Sequence, residues 1–417
     1  MITANMERFE AFYPEDSRFD EIEKILSFIK EGNSVQLISL PGVGRSNLLG
    51  FLSYNTKIRV KHLGESQKLY HFVNINLSEV RGKPTTEVFK FVFLELWESL
   101  RERKYEYEEI RKILKESIEF KDELVIFQGL KKALEFLTLE KNLTVVFLFD
   151  RFETYVQNVS SDFFTNLRIL RNRAKYKFSA VFSLNRPLED TLEPEILVDF
   201  YEFVVGHVVY LPLLDKPGLT FRISYLEKSK GKKLDKKTLD RILSLTGGHG
   251  KLTRLCAESI LGDKKPDELL LEKPVQGALL EIYNALTPSE QNLVKNKDKN
   301  EYLEDVGLLR AGEITIPFFE EFINQYKPKG EFSLESFSDN LSSLEFKLLK
   351  FFAENPDRII DRDEVVQNVW QDTKTVAGVT DQALDQLIFR LRKKIEEDPN
   401  APKYLQTIKG RGFKFNI

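Results

Sequence analysis

The sequence is poor in the features that mark exported or membrane-embedded proteins. It has one cysteine, Cys256, which excludes an intramolecular disulfide and suits a reducing compartment. Neither a metal-binding cluster nor a general base accompanies this thiol, so we expect Cys256 to be a small core residue. No apolar run approaches the ~18 residues of a membrane-spanning helix, and the first residues, MITANMERFEAFYPED, lack a basic segment followed by an apolar one. These absences favour a cytoplasmic protein without a membrane segment.

An excess of one charge is also lacking. The chain has 62 lysines and arginines against 65 acidic residues, a formal net charge of −3. The overall charge therefore gives no indication of nucleic-acid binding, and any basic surface must be local. With 42% hydrophobic and 30% charged residues over 417 positions, the chain is predicted to fold into two or three globular domains.

The most informative stretch is an apolar run that leads into a glycine turn, SVQLISLPGVGRSNLLG at 34–50. It predicts a strand, a turn and a helix. Gly42 and Gly44 lack Cβ atoms, so backbone N–H groups there can approach an anion closely. The N-terminus of the following helix also favours phosphate. The pattern approximates the phosphate-binding P-loop, G-x-x-x-x-G-K-S/T.

Two positions of this turn depart from the P-loop pattern. Ser39 stands in place of the first glycine, and Arg45 stands in place of the lysine. Arg45 keeps the positive charge but spreads it over a wider planar group, so it need not reach the phosphates as lysine does. Ser46 is the hydroxyl that would bind Mg²⁺. ATP or ADP with Mg²⁺ is the predicted ligand, and an ordinary strand–turn–helix corner is the alternative.

Strands alternate with helices beyond the turn, which predicts a parallel α/β sheet with right-handed crossovers. Two apolar strands, at 142–150 and 178–185, end in Asp150 and Asn185. Because ligands bind at the carboxyl ends of such strands, Asp150 is predicted to hold Mg²⁺ through water opposite Ser46. Asn185 is predicted to sense the γ-phosphate. A helix-capping aspartate and a turn asparagine are the alternatives.

The predicted nucleotide-binding residues lie in the turn, at the strand ends and in a later glycine turn. They are Pro41, Gly42, Val43, Gly44, Arg45, Ser46, Asn47, Asp150, Asn185 and His249, with Ser46 and Asp150 as metal ligands. His249 could contact the base or sugar from a small helical lid, although a lone histidine in a glycine turn is more often structural. Arg168, Arg171 or Arg173 could act on a neighbour's γ-phosphate if the protein forms a homo-oligomer.

Changes of composition divide the chain into four predicted parts. Residues 1–215 form the P-loop core, 216–273 the helical lid, 274–330 a winged-helix-like segment and 335–417 a second winged helix. A break in the chain is expected at 327–330. The predicted fold class is therefore multidomain: an α/β P-loop NTPase with a parallel sheet and a helical lid, followed by winged-helix domains.

The last segment combines three predicted helices with a terminal β-hairpin around Gly410-Arg411-Gly412. A basic helix and a basic hairpin can place one element in the major groove of a duplex and the other on its backbone or minor groove. The predicted contacts with double-stranded DNA are Thr380, Gln382, Gln386, Arg390, Arg392, Lys393, Lys394, Lys409, Arg411 and Lys414. A solvated basic helix face is the alternative.

This segment resembles the OmpR/PhoB-type winged-helix effector domains of response regulators. The matching pieces are LSSLEFKLLKFFAENPDRIIDRDEVVQNVW, DQLIFRLRKKIEEDPNAPKYL and TIKGRGFKF. The resemblance implies DNA binding and transcription regulation, although no receiver-like segment precedes it. At base-facing positions, where family members often carry arginine or histidine, we expect Gln382, Leu387 and Phe389. Phosphate anchoring by Arg390 and Arg392 is retained.

Residues from ~12 to ~260 resemble the AAA+/STAND-type ATPases of the archaeal and Orc-like group. The resemblance depends on LPGVGRSNLL, VVFLFDRFE, FSLNRP and TGGHGKLTRLC. In that group a glutamate that positions the attacking water usually follows the metal-binding aspartate, but here Arg151 follows Asp150 and Glu153 lies two residues further on. Gly250 replaces the proline of the glycine–histidine motif. Together with Arg45, these departures imply nucleotide binding without efficient hydrolysis.

The predicted function is a nucleotide-responsive, DNA-binding transcription regulator. Two alternatives stay open. One is an active signalling or defence ATPase in which Glu153 or another acid replaces the missing base. The other is a structural adaptor that binds no nucleotide and uses its winged helix for protein contacts. DNA binding that depends on nucleotide would distinguish the first prediction from the other two.

Overall fold

The computed structural model describes residues 8–105, 107–119, 123–326, 334, 337, 340–370 and 379–416. Its largest element is a parallel sheet of five strands. The strands are β1 (Val35–Ile38), β2 (Tyr70–Asn76), β3 (Thr144–Asp150), β4 (Phe178–Leu184) and β5 (Val208–Tyr210). They lie in the order β2-β3-β4-β1-β5. The predicted parallel α/β architecture is confirmed.

The apolar runs of β3 and β4 explain why these strands form the centre of the sheet. Every residue of β4 is buried, and only the first residue of β3 is partly exposed. Val35 of β1 pairs with Val181 of β4, and Phe147 of β3 pairs with Ala180 of β4. The carboxyl ends of these three strands therefore lie side by side, at the edge where open α/β sheets bind ligands.

Helices cover the sheet and complete its core. The longer ones are α1 (Phe19–Lys30), α2 (Arg45–Tyr54), α3 (Thr56–Leu63), α4 (Thr85–Glu102), α5 (Glu108–Glu119), α6 (Glu123–Glu135) and α7 (Ser161–Arg173). Three one-turn helices follow β4: α8 (Leu188–Thr191), α9 (Pro194–Leu197) and α10 (Tyr201–Val204). Among the residues described, no helix has both the length and the apolar content that a bilayer crossing requires.

The next helices pack beside the sheet. They are α11 (Lys216–Lys230), α12 (Lys236–Thr246), α13 (Gly250–Leu261), α14 (Lys273–Asn284), α15 (Pro288–Asn296), α16 (Glu301–Asp305) and α17 (Pro317–Gln325), with a hairpin of β6 (Leu309–Arg310) and β7 (Glu313–Ile314). Asp215 caps α11 by accepting from the N–H of Gly218 at 2.9 Å. It also accepts from the N–H of Arg18 at 2.6 Å, which ties the start of the lid to the start of α1.

The C-terminal part has three helices and a small sheet. The helices are α18 (Ser343–Ala353), α19 (Arg362–Val369) and α20 (Asp381–Ile395), and the antiparallel strands are β8 (Ile359–Ile360), β9 (Leu405–Ile408) and β10 (Gly412–Phe415), in the order β8-β10-β9. These elements enclose their own core, which includes Phe352, Leu391 and Phe413. Gly412 has φ +119°, and a Cβ atom there would lie 2.0 Å from the carbonyl oxygen of Ile360, so the hairpin requires glycine.

Two local features were not indicated by the sequence patterns. Strand β5 is only three residues long within the apolar stretch 204–213, because Val204 ends the one-turn helix α10 and Gly206, with φ +81°, reverses the chain before β5 begins. The helices α8, α9 and α10 were not expected, because one-turn helices carry no periodic pattern. The expected break at 327–330 lies outside the described residues. Cys256 is fully buried, as expected of a core residue.

A buried ion pair joins β4 to the helices that follow the lid. Arg186, two residues beyond β4, donates to both carboxylate oxygens of Glu290 in α15, one of them at 2.8 Å. Arg186 also donates to the carbonyl of Ala285 at 3.0 Å, and both charged residues are 8% exposed. Removal of one partner would leave the other charge buried without compensation.

We expect Glu290→Ala to lower the free energy of unfolding by about 3–5 kcal/mol, because Arg186 would lose its counter-charge and the backbone N–H of Thr287 would lose its acceptor in the capping box of α15. Replacement of both partners, Arg186→Met with Glu290→Gln, should restore part of this loss. The exposed pair of Lys232 and Asp263 provides the control, and Asp263→Asn should change stability by less than about 0.5 kcal/mol. Urea unfolding measures all three, and equal effects of Glu290→Ala and Asp263→Asn would contradict the assignment.

Candidate functional site

The turn after β1 forms an open cradle of backbone groups. Gly42 has φ +80° and Gly44 has φ +122°, values that L side chains rarely adopt. A Cβ atom at Gly44 would have no heavy atom within 4 Å, whereas one at Gly42 would lie 2.8 Å from Cε1 of His249. Helix α2 begins directly after the turn, at Arg45, so its first N–H groups lack partners within the helix. This geometry fits an anion such as a phosphate group.

The cradle opens into a cavity of about 570 Å³. Eight of the ten predicted nucleotide-binding residues line it: Pro41, Gly42, Gly44, Arg45, Ser46, Asn47, Asp150 and Asn185. The other two, Val43 and His249, are fully buried. Five basic and three acidic side chains line the cavity, so its charge favours an anionic ligand.

The two predicted metal ligands lie together. Ser46 donates a hydrogen bond from Oγ to Oδ1 of Asp150 at 3.0 Å, although 104 residues separate them in the chain. Ser46 belongs to the first turn of α2, and Asp150 is the last residue of β3. The same carboxylate oxygen accepts the backbone N–H of Arg151 at 3.0 Å. A hydroxyl and a carboxylate oxygen are hard ligands of the kind that Mg²⁺ prefers.

Arg45 stands in the position of the P-loop lysine, and both of its terminal nitrogens already donate hydrogen bonds within the protein. Its Nη1 donates to the carbonyl of Ser39 at 3.0 Å and to that of Leu184. Its Nη2 donates to Oε1 of Glu153 at 2.9 Å and to Oδ1 of Asn185 at 2.7 Å. The four N–H groups on the two terminal nitrogens therefore all have acceptors. The side chain is only 9% exposed, so it joins the ends of β1 and β4 to the segment after β3.

His249 joins the lid to the phosphate-binding turn. Its Nδ1 accepts the N–H of Leu252 at 3.2 Å at the start of α13, so the proton lies on Nε2, which donates to the carbonyl of Pro41 at 2.8 Å. Burial lowers the pKa of His249 to about 4, which keeps the ring neutral at neutral pH. Both ring nitrogens are used in these two bonds, so neither is available to a ligand.

The sequence patterns did not identify the basic residues that the lid places at this cavity. They are Arg222 of α11 and Lys251 and Arg254 of α13. Lys251 pairs with Glu281 at 2.6 Å, and Arg254 pairs with Glu258 at 2.8 Å. Helix α11 has no distinct apolar stripe, so its sequence gives little indication of which face meets the cavity.

The three arginines of α7 are occupied within the chain. Arg168 pairs with Asp199 at 3.2 Å, and Arg173 pairs with Glu135 at 3.4 Å. Arg171 is 6% exposed and donates to the carbonyl of Gly32 at 3.0 Å, with its guanidinium over aromatic rings. The prediction that Arg171 could act on a neighbour's γ-phosphate is therefore wrong, because its side chain is buried in its own domain.

Helix α20 carries a polar face of the kind expected of a recognition helix. Gln382, Gln386 and Arg390 follow one another at intervals of four residues and share this face. The two glutamines are exposed. Arg390 instead pairs with Glu193, which lies between α8 and α9 and also accepts from Oγ of Ser342 at 3.2 Å. One end of the face is thus covered by the first part of the chain.

Three other predicted DNA contacts are held by intramolecular partners. Arg392 donates to the carbonyl of Leu405 at 2.8 Å, which ties α20 to β9. Lys394 is 11% exposed and pairs with Glu345 at 2.7 Å. Lys414 pairs with Asp357 at 3.1 Å. These bonds hold the domain together, so each of these cations would reach a phosphate only by changing partners.

The exposed candidates lie on the hairpin and along α20. Lys409 and Arg411 are exposed at the turn between β9 and β10, and Lys393 is exposed on α20. Thr380 caps α20 by accepting the N–H of Ala383 at 3.2 Å. The hairpin tip is therefore the most accessible basic part of this surface.

The prediction that Leu387 faces the bases of the DNA is wrong. Leu387 is fully buried, because it belongs to the apolar stripe that also contains Leu384 and Leu391. Phe389 is 43% exposed and Gln382 is also exposed, so these two remain on the outer side of the helix. Leu387 contributes to the core of the domain and has no access to a duplex.

Comparison with protein families matches residues 339–415 to the family described as "Transcriptional regulatory protein, C terminal". Similar curated proteins include PetR of Rhodobacter capsulatus, 37% identical over 87 residues that cover 20% of this chain and 37% of PetR. They also include the phosphate regulon transcriptional regulatory protein PhoB of Klebsiella pneumoniae, 35% identical over 77 residues that cover 18% of this chain and 32% of PhoB. The chain thus spans less than half the length of these relatives.

Several solved structures resemble the chain at low identity. The Walker-type ATPase of Pyrococcus abyssi is 12% identical, with a TM-score of 0.48 and coverage of 76% of this chain and 97% of that one. CDC6P from Pyrobaculum aerophilum is also 12% identical, with a TM-score of 0.37 and coverage of 81% and 85%.

The first part of the chain has a glycine turn between β1 and α2, an aspartate at the end of β3 and a parallel strand order. The last part of the chain is the part that the family model matches. Residues 339–415 match the C-terminal domain of transcriptional regulatory proteins and form a winged helix, and they follow an α/β domain with the P-loop NTPase fold.

Proposed function

We propose that this protein is a DNA-binding transcription regulator whose binding to DNA responds to a nucleotide in the P-loop domain. The observation that carries the proposal is the contact between Arg390 of α20 and Glu193. Glu193 lies on the segment that leaves β4 at Asn185, and Asn185 lines the cavity. One segment therefore links the nucleotide cavity to the recognition helix.

The cavity has the groups that ADP or ATP with Mg²⁺ needs. The backbone of Gly42 and Gly44 would hold the phosphates, together with the first N–H groups of α2. Ser46 and Asp150 would hold Mg²⁺, directly or through water. The bound metal would neutralise charge on the phosphates, and the protein would supply the fixed donors around it.

Efficient hydrolysis is not supported by the same cavity. The residue after Asp150 is Arg151 rather than an acid, and the carboxylate of Glu153 is paired with Arg45 at 2.9 Å. A carboxylate held in an ion pair is a poor base for the attacking water. Loss of a water-positioning residue and of a charge-stabilising cation slows phosphoryl transfer by orders of magnitude. The nucleotide would therefore act as a ligand that selects a state of the protein.

Two further routes connect the cavity with the winged helix. In the first, Asn185 lies next to Arg186, which is paired with Glu290 of α15, and α15 packs against α20. In the second, two 3₁₀ turns follow Asp150, and the later one, Val156–Asn158, packs against α18. A shift at the strand ends would reach α18 and α20 through packed elements.

We expect the protein to bind nucleotide but to turn over ATP at less than about 10⁻² s⁻¹, because among the described residues of the cavity Glu153 and Glu281 are held in ion pairs and Asp150 accepts from Ser46. A fluorescent-nucleotide titration and a phosphate-release assay measure the two quantities. Ser46→Ala should weaken Mg²⁺-dependent binding. Turnover near 1 s⁻¹ that is lost in Glu153→Gln would contradict the proposal and favour an active ATPase.

We expect Glu193→Gln to raise the affinity for a mixed-sequence duplex by about threefold to tenfold, because Arg390 would be released toward the phosphates. Glu195→Gln, at an exposed position in α9, removes the same charge without this contact and should have little effect. Fluorescence anisotropy with a labelled duplex measures both variants. An equal gain in the two variants would show a general charge effect and would contradict a specific contact.

We expect Lys409→Gln combined with Arg411→Gln to weaken duplex binding and to lower the slope of log K against log salt by about 2, because two phosphate contacts are removed. The measurement is duplex affinity at several salt concentrations. Lys299→Gln, in the turn before α16, serves as a matched control for charge. An unchanged slope in the double variant would show that the hairpin does not contact DNA.

A further inference from the structure

A run of lysines joins the first two helices of the lid, outside both the nucleotide cavity and the winged helix. This connection between α11 and α12, the lysine turn (228–237, KSKGKKLDKK), has six lysines and one aspartate in ten residues. The whole chain has a formal net charge of −3. All six lysines are exposed. A local excess of positive charge of this kind attracts polyanions even when the protein as a whole is nearly neutral.

The lysine turn lies against the end of α13. Helix α11 ends at Lys230, and Gly231 follows it with φ +64°. Lys232 then donates to the carbonyl of Leu261, the last residue of α13, at 3.1 Å. It also donates to both carboxylate oxygens of Asp263, at 3.0 and 2.8 Å. The other lysines of the turn therefore extend from a backbone whose position is set by the lid.

Most of the charge of the lysine turn is not balanced by ion pairs. Among the described residues, five of its six lysines form none: Lys228, Lys230, Lys233, Lys236 and Lys237. The aspartate of the turn, Asp235, is used as the cap of α12, where it accepts from the N–H of Thr238 at 3.0 Å and from its hydroxyl at 2.6 Å. Asp240, one turn after Lys236, is exposed and offsets one of these charges.

The start of α12 increases the positive potential of the lysine turn. Lys236 and Lys237 are the first two residues of this helix, where the helix dipole favours acidic side chains. Their charges therefore add to the partial positive charge of the helix N-terminus. This arrangement is unfavourable for the isolated helix and favourable for a bound phosphate.

Helix α14 connects the region of the lysine turn with the winged helix. At its start, Glu272 pairs at 3.2 Å with Lys264, which directly follows the partner of Lys232 in the chain. At its end, the carbonyl of Asn284 accepts from Nδ2 of Asn340 at 3.2 Å, at the entry to the winged helix. The twelve residues of α14 span about 18 Å, the length of about five base pairs. Flanking base pairs of a duplex on the winged helix are therefore close enough to reach the lysine turn.

We propose that the lysine turn binds the phosphate backbone of double-stranded DNA that flanks the site of the winged helix. This inference rests on the proposed DNA binding. Lysine is a flexible point charge, which suits phosphate contacts that do not read the base sequence. The contact would lengthen the stretch of DNA that the protein occupies, and it would join the lid of the P-loop domain to the duplex.

A duplex fits the lysine turn better than a membrane does. Helices that bind membrane surfaces insert an apolar face beside their basic residues. The lysine turn has one apolar residue, Leu234, and its side chain is partly buried against the core of the protein. Residues 339–415, in contrast, match the C-terminal domain of transcriptional regulatory proteins, so a polyanionic duplex is the partner expected of this chain.

The test is the affinity of the protein for labelled duplexes of about 12 and about 30 base pairs, measured by fluorescence anisotropy at several salt concentrations. The triple variant Lys230→Gln, Lys233→Gln and Lys237→Gln should bind the long duplex at least about tenfold more weakly. Its slope of log K against log salt should fall by about 2 to 3. Its affinity for the short duplex should stay within about twofold of the wild-type value, because that duplex is covered by the winged helix.

A matched control removes the same charge from other exposed lysines that form no ion pair among the described residues. It combines Lys112→Gln, Lys115→Gln and Lys299→Gln, and both of its duplex affinities should stay within about twofold of wild type. Thermal unfolding checks that each variant folds. An unchanged affinity of the lysine-turn variant for the long duplex would overturn the assignment. So would equal losses on the two duplexes, or an equal loss in the control.

Two further measurements separate this assignment from the proposed function and from a membrane role. If the wild-type protein binds neither duplex, the proposed function fails and the assignment fails with it. If it binds both, and only Lys409→Gln with Arg411→Gln weakens binding, DNA binding stands and the assignment is overturned. Vesicles of phosphatidylserine and phosphatidylcholine test the membrane role. Vesicle binding that is lost in the lysine-turn variant, with duplex affinity unchanged, would also overturn the assignment.

Discussion

The guanidinium of Arg45 holds together the strand ends on which the cavity is built. It bonds to the carbonyl at the end of β1, to that at the end of β4, and to Glu153 beyond β3. The two carbonyls are buried and the carboxylate is 14% exposed, so the bonds satisfy groups that would otherwise have few or no donors. The floor of the cavity is therefore fixed and locally neutral. In the proposed complex, countercharge for a phosphate would come from the backbone of the glycine turn, from a metal ion at Ser46 and Asp150, and from the lid.

Because Arg45 fixes the strand ends, a bound ligand would change the positions of the lid and of the segment after β4 rather than those of the strand ends. His249 already fastens α13 to the glycine turn through Pro41. On the other side, the chain runs from β4 through Arg186 to Glu193, where it meets α20 at Arg390. A ligand changes DNA binding only if it favours one arrangement of these contacts over another. The ion pair at Arg390 is such a contact, because it covers one end of the polar face of α20.

Much of this architecture could be predicted from local sequence. Apolar runs predicted the buried strands. The rule that ligands bind at the carboxyl ends of parallel strands predicted that Ser46 and Asp150 lie close together. The winged helix was predicted from three helices followed by a glycine hairpin. The partners of Arg45, the position of Arg222 at the cavity and the contact of Arg390 with Glu193 were not predictable. They depend on the packing of segments far apart in the chain, and α11 has no apolar stripe to orient it.

The central claim is that the nucleotide cavity and the DNA-binding surface are coupled, and linkage makes such coupling reciprocal. The most direct measurement is the affinity of the full-length protein for ADP and for ATP, with Mg²⁺, in the absence of DNA and at saturating duplex. The account predicts that duplex changes the affinity for at least one nucleotide by about threefold or more. Equal nucleotide affinities with and without duplex, in a protein that binds both, would contradict it.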